Sequence, residues 1–338
     1  MKKSVVLLTI GLISSSLLFA GGEKESSKST KDENSKLKVA LLLPGKKDDV
    51  SFNQAMYESM KEVEGEYSNQ IEVTYVEDVY EVADIEPALM DFASRDYDLI
   101  FGHGFQYMEP IIKVAELFPQ TMFALGTGYK TAPNTCVYDV HLAQGGYLMG
   151  YLAGMISETE KVGVIGGADA SEIYRGHEGF KMGAKEANAN IEIQEFYTGD
   201  WRDAAKAKEG ALGMYDSGVD VIWHSGDGIG LGVVNAALEA DKYCLSNITS
   251  QYVLAKDNVV SGVNYQWDLV IRQILDDVLS DNFMNQEKFY WINVENNGLS
   301  VADYHQFENM FDKKVFENMD KAISGIKDGT IVIPDFEK

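Results

Sequence analysis

The chain has 338 residues, 45% of them hydrophobic, with 29 Lys and Arg against 53 Asp and Glu, a net charge of −24. That apolar content excludes global disorder, and two cysteines exclude a disulfide-stapled mini-fold. The acidic balance excludes nucleic acid and other polyanions as partners, because phosphate binding needs a basic face.

Lys2 and Lys3 precede an apolar run from Val5 to Leu12, and Leu18, Phe19 and Ala20 are followed by Gly21. This is the pattern of a secretory signal over residues 1–20, cleaved after Ala20, and it implies export to the periplasm or cell envelope. Residues 21–36 are rich in Ser, Lys and Glu and read as a flexible tether. A lipid anchor needs a cysteine at the cleavage junction, where this chain has Gly21. Beyond residue 38 the body carries 22 basic and 49 acidic residues, a net charge of −27.

The body alternates strands and helices. Residues 37–43 are a continuous apolar run that stops at Pro44 and Gly45. Ser51, with Gln54 three residues on, predicts a capping box at a helix start. Strands follow at 71–76 and 98–102, helices at 84–95 (Pro87 in the first turn) and 111–118, then strands at 121–126 and 135–140. The pattern restarts with a small-residue-rich helix at 145–157. Strands at 161–167, 191–197 and 219–225 alternate with helices at 174–188, 203–218 and 230–240. Strands at 242–246 and 258–263 and an amphipathic helix at 267–280 complete the series. Continuous apolar strands between helices mean parallel sheets covered on both faces. Two successive sets predict an α/β fold of two doubly wound lobes with the ligand site in the cleft between them.

Few stretches carry catalytic chemistry. Residues 227–232 offer backbone N–H groups at a helix start, but the glycine spacing is not a dinucleotide fingerprint. Cys136 and Cys244 lie inside predicted strands and read as buried small hydrophobes. The five histidines lack metal-ligand spacing, and no nucleophile elbow or Ser/His/Asp set is legible. The expectation is therefore a binding protein, not an enzyme, with no cofactor and no metal.

Aromatic and amide residues cluster at strand ends instead. Phe52 and Asn53 follow the first strand, His103, Gly104 and Phe105 the third. Trp201 follows another, Trp223 and Asp227 flank a fourth, and Tyr265, Gln266 and Trp267 follow the last. Flat rings stack on flat ligands, while amides and carboxylates supply edge hydrogen bonds, which suits a planar heterocycle such as a purine. Trp223, within its strand, and Trp291, in a late strand, read as core.

The stretches 51–54, 98–105, 123–134, 146–154, 161–167 and 199–209, taken in order, resemble the basic membrane protein family. Its members are bacterial periplasmic binding proteins that deliver purine nucleosides or related compounds to ABC transporters. The resemblance covers about residues 37–280. It implies a type I periplasmic binding protein whose lobes are joined by three crossover strands. One lobe is expected from residues 37–140 plus about 265–285, the other from 141–264 plus about 286–338. By the same resemblance Phe52 stacks on the base, Asn53 contacts it, Gly104 and Phe105 line the cleft, and Trp201 matches a stacking residue of the nucleobase-binding branch. The segment from Thr127 to Lys130 also looks like that branch. Asp227, Tyr265, Trp267 and Asp268 complete the expected ligand-binding set.

Two departures bear on the ligand. Nucleoside-binding members hold the ribose hydroxyls with an Asp-Ser-Asp stretch, which here is Ile248, Thr249 and Ser250. Tyr265 and Gln266 stand where those members have Lys and Arg. Each lost charge-assisted bond removes ~1.5–3 kcal/mol. The expected ligand is therefore a purine base or similar planar heterocycle, with a nucleoside second and an ABC permease in the inner membrane as partner. An exported nucleoside-processing enzyme and a surface adhesin or sensory protein on the same fold are the remaining alternatives.

Overall fold

The structure is a computed structural model that describes residues 35–284 and 288–336. The expected signal segment and all but the end of the expected tether lie outside the described residues. The first lobe begins β1 (Leu37–Leu42), α1 (Phe52–Glu66), β2 (Ile71–Val76), α2 (Val82–Ser94), β3 (Leu99–Gly102), α3 (Met108–Leu117), β4 (Met122–Gly126) and β5 (Thr135–Val140). The chain then builds α4 (Leu142–Ile156), β6 (Lys161–Gly166), α5 (Ser171–Ala187), β7 (Glu192–Tyr197), α6 (Ala204–Asp216), β8 (Val221–Ser225), α7 (Ile229–Ala240), β9 (Tyr243–Ser246) and β10 (Val259–Tyr265). It closes with α8 (Trp267–Leu279), β11 (Phe289–Ile292), β12 (Leu299–Val301) and α9 (Lys313–Lys327).

The strands form two six-stranded sheets, ordered β2-β1-β3-β4-β5-β11 and β7-β6-β8-β9-β10-β12. The first is parallel throughout; in the second only β12 runs antiparallel, against β10. Strands such as β3 and β5 are buried along their whole length because helices cover both faces. The two-lobed α/β architecture is therefore the one expected. The chain passes between lobes after β5, after β10 and after β11. The last crossing comes later than the sequence suggested: Phe289–Ile292 pairs with β5 at the edge of the first sheet, so this strand does not belong to the second lobe.

Three local expectations are corrected. The α1 N-terminus is capped by Asp49, whose Oδ1 accepts from the Ser51 and Gln54 N–H groups at 2.9 and 3.0 Å. Ser51 makes no capping bond, and Gln54 accepts from the Val50 N–H at 3.0 Å instead. Helix α2 starts two residues early, so Pro87 lies inside it and one helical hydrogen bond is forgone. Trp291 is only half-buried; it stacks on His141 at 4.3 Å.

Helices α4 and α5 pack with backbones in contact. Gly146, Gly150 and Gly154 recur every four residues along α4. A Cβ on Gly150 would lie 2.0 Å from the Phe180 carbonyl oxygen, and one on Gly183 2.0 Å from that of Tyr147. Cys136 and Cys244 are buried, unpaired and in different sheets. Among the described residues no helix is long and apolar enough to cross a membrane.

Candidate functional site

The carboxyl ends of both sheets face a cavity of about 590 Å³, counting the space open at its mouth. On the first lobe, Phe52 opens α1 and lies flat on His103, with ring centroids 3.8 Å apart and planes 16° from parallel. His103 is fully buried, and burial pushes its pKa down to about 3. Its Nε2 faces the Phe52 carbonyl at 3.1 Å, so Nε2 carries the proton and Nδ1 accepts from the Tyr138 hydroxyl at 2.9 Å. One face of Phe52 is thus covered by a neutral ring, and Phe52 also lines the cavity. Gly104 has φ +131°, a conformation L side chains rarely adopt, and this turn brings Phe105 into the wall.

On the second lobe, Trp201 rests against Gly167, where a Cβ would come within 2.6 Å of the indole. Asp227 follows β8 and turns into the same cavity; its Oδ1 is shut off from solvent with no hydrogen-bond partner. Tyr265, at the second crossover, donates to Asn247 Oδ1 at 3.1 Å. The lobes touch around the rim. Arg202 lies 3.6 Å over the Tyr80 ring, Gln251 Nε2 donates to the Val50 carbonyl at 3.3 Å, and Asn53 Nδ2 to Asp227 Oδ2 at 3.3 Å. Val50, Thr127 and Ile248 are β-branched residues at φ 57°, 55° and 73°, and all three sit at this cleft. Such backbone strain concentrates at functional sites.

Seven of the ten expected residues line the cavity: Phe52, Gly104, Phe105, Thr127, Trp201, Asp227 and Tyr265. The other three do not. Asn53 is fully buried behind Asp227. Trp267 is a buried shelf, edge-on to Phe52, His103, Tyr138 and Tyr265 at 5.5–6.2 Å. Asp268 is turned away onto Arg272, which also grips Glu62 and Glu66 of α1. Trp223 is buried core, as expected.

The sequence reading missed Tyr80, Glu172 and Asn247 as lining residues. Glu172 precedes the helix expected at 174–188, whereas α5 begins at Ser171. Its carboxyl is pushed up to about 8 by burial, and further by the neighbouring Asp139 charge, against the pull of Arg175. A raised carboxyl means the folded protein keeps a proton that the unfolded chain would release above about 4.5. Its stabilising share is complete below that value and is lost as pH rises toward about 8. Thermal denaturation of the ligand-free protein should show stability falling between those limits, by up to ~1.4 kcal/mol per pH unit from this group. Glu172→Gln should flatten the slope; an unchanged slope would refute the assignment.

A second cavity adjoins the first, sharing Phe105, Thr127 and Glu172 and adding Asp139, Arg175 and Trp291. Arg175 donates to Asp139 at 2.6 Å, and its Nε has no partner.

One hydrolase-like geometry is present. Ser225 Oγ lies 2.7 Å from His177 Nε2, and His177 Nδ1 2.8 Å from Glu195 Oε1. Ser225 is fully buried and lines neither of these two cavities. The trio ties β7, α5 and β8 together.

Known proteins agree with this architecture. Residues 36–337 match the family described as ABC transporter substrate-binding protein PnrA-like. A purine-binding protein of Brucella abortus is 29% identical over 69% of this chain and 66% of its own length, just under two thirds. A CD4+ T-cell-stimulating antigen of Listeria innocua is 33% identical over 72% of this chain and 70% of its own. A solved ABC transporter solute-binding protein from Conexibacter woesei superposes with a TM-score of 0.72 at 24% identity, covering 89% of this chain and all of that one, and shares the fold. Two parallel-sheet lobes, a cleft at their strand ends and a family match along the whole described body lead to one conclusion: the chain belongs to the Bmp family of PnrA-like ABC transporter substrate-binding proteins.

Proposed function

We propose that this protein captures a purine base, or a planar heterocycle of similar size, between its lobes and delivers it to an ABC permease of the inner membrane. The carrying observation is that Phe52 and Phe105 of one lobe and Trp201 of the other line one cavity together with Asp227, whose buried Oδ1 has no hydrogen-bond partner. Rings from opposite lobes supply stacking, and a carboxyl oxygen supplies an acceptor for a ring or exocyclic N–H. The purine-binding relative supports the same ligand class. Export to the periplasm or envelope goes with this role. Ligand capture closes the lobes about the crossovers and requires no chemical step.

A purine nucleoside is the second reading, and the adjoining polar cavity favours it, since Asp139, Glu172 and Arg175 suit hydroxyl groups. Against it, Ile248, Thr249 and Ser250 offer no carboxylate. Calorimetric titration with adenine, guanine, hypoxanthine and their nucleosides decides. The expected result is micromolar or tighter binding of a base. Nothing tighter than millimolar would sink the purine reading, and nucleosides binding tenfold better would replace the base with the nucleoside.

A further inference from the structure

Asp49 and Asp227 belong to opposite lobes and meet at one amide. Asn53 Nδ2 donates to Asp49 Oδ2 at 2.6 Å and lies 3.3 Å from Asp227 Oδ2. The amide cannot turn away, because its Oδ1 accepts from the Gly45 N–H at 3.0 Å. Asp49 is well supplied with donors: besides the amide it takes the N–H groups of Ser51, Gln54 and Asn53 at 2.9, 3.0 and 3.1 Å. All four donors gather at the N-terminus of α1. Asp227 shares Asn53 on Oδ2 and feels a Phe52 N–H, while its Oδ1 has no hydrogen-bond partner.

We propose that closure of the lobes over the ligand takes up one proton, held at the seam between Asp49 and Asp227, so that capture tightens as pH falls. The inference rests on the reading of the protein as a lobe-closing carrier.

With the lobes apart, Asp227 faces water and is an ordinary carboxylate with that group's usual pKa. Closure buries it beside a fixed negative charge. Burial and then Asp49 raise it well above that value, against the pull of a Phe52 N–H and of Arg202. The other ionisable groups around it are Tyr80, under Arg202, with Asp200 beside it, and Glu172 across the cavity. Arg202 is the only cation among these neighbours, and it is engaged on Tyr80 and the Asp200 side of the rim. The closed form therefore carries a proton that the open form does not. A group raised in the closed state favours closure below its open-state pKa and loses that contribution as pH rises through its closed-state pKa. Between those limits the apparent affinity changes by up to about tenfold per pH unit. With the proton on the seam side, Oδ1 keeps its lone pairs for a ligand N–H.

The test is titration calorimetry of the intact protein with adenine, which is neutral near pH ~7, in phosphate and in Tris. The two buffers differ in ionisation heat, so the difference in observed enthalpy counts protons. Wild type should take up about one proton per adenine more than Asp227→Asn. Asp49→Asn, which removes the fixed charge but keeps an acceptor for the helix N-terminus, should lose the same proton and show a flattened pH dependence of Kd. Equal proton counts in wild type and both variants, with adenine still binding, would overturn the proposal and leave the carrier reading standing. If adenine, guanine, hypoxanthine and their nucleosides all fail to bind, the carrier reading falls and the proposal with it. Glu172→Gln separates the second acid: it should leave the Asp227-dependent proton in place.

Discussion

Replacing Gly150 with alanine should cost the protein roughly 3 kcal/mol or more, and replacing it with valine should leave no folded protein to purify. The added Cβ would lie 2.0 Å from the Phe180 carbonyl oxygen, and that oxygen is backbone, unable to swing aside. Parting α4 from α5 to relieve the contact would open the interface along its length, because Gly146, Gly179 and Gly183 set the same close approach. A whole domain is stable by only ~5–15 kcal/mol, so a loss of this size is a large fraction. Helix propensity works the other way: alanine is better than glycine in a helix by ~0.5–1 kcal/mol. Gly65 in α1 and Gly213 in α6 isolate that opposite term, since a Cβ at either meets nothing within 4 Å. Gly65→Ala and Gly213→Ala should therefore stabilise slightly while Gly150→Ala destabilises strongly. Urea unfolding of the three variants checks this, and a Gly150→Ala midpoint at or above wild type would contradict the packing argument.

The same helix shows why so much of the fold was legible. Its glycines recur at four-residue spacing, which only a close helix contact uses, and the strands before and after it are unbroken apolar runs because both faces of each sheet are covered. What sequence carries poorly is direction at the ends of elements. Tyr265 ends β10 and lines the cavity, whereas Trp267, two residues on, opens α8 and points into the core. A helix turns ~100° per residue, so one or two positions decide whether a ring is wall or shelf. Asp268 went astray for the same reason, one step further round onto Arg272. Glu172 was invisible because α5 starts three residues earlier than expected, which left a buried acid outside the expected helix. Strand β11 was assigned to the wrong lobe because four apolar residues at a sheet edge carry no mark of which sheet they join. The aromatic residues that did land on the cavity lie beyond or at strand carboxyl ends, Phe105 and Trp201 after β3 and β7, Phe52 at the start of α1 and Tyr265 at the end of β10, where topology fixes the cleft.

Those rings set the largest functional effect. Trp201→Ala should weaken binding of a purine base by about 5- to 150-fold, the range that ~1–3 kcal/mol of ring–base stacking implies. Phe52→Ala should weaken it more, because Phe52 does two things at once. Its cavity face meets the ligand, and its other face covers His103, whose hydrogen bond to the Phe52 carbonyl and contact with Trp267 align the shelf beneath. Truncation removes the stack and frees the shelf to shift, so thermal stability should drop with affinity. Trp201, half-exposed and resting on Gly167, has no such shelf, and its loss should cost affinity with little change in stability. Phe52→Leu separates ring from bulk: it keeps most of the volume over His103 and removes the flat face. If stacking carries the affinity, leucine restores stability and leaves binding weak. If leucine restores binding as well, Phe52 contributes only packing, and a planar ligand loses its main support on the first lobe. The two outcomes are read from one calorimetric titration and one melting curve on each variant, and only the first is compatible with a slot built for a flat ring.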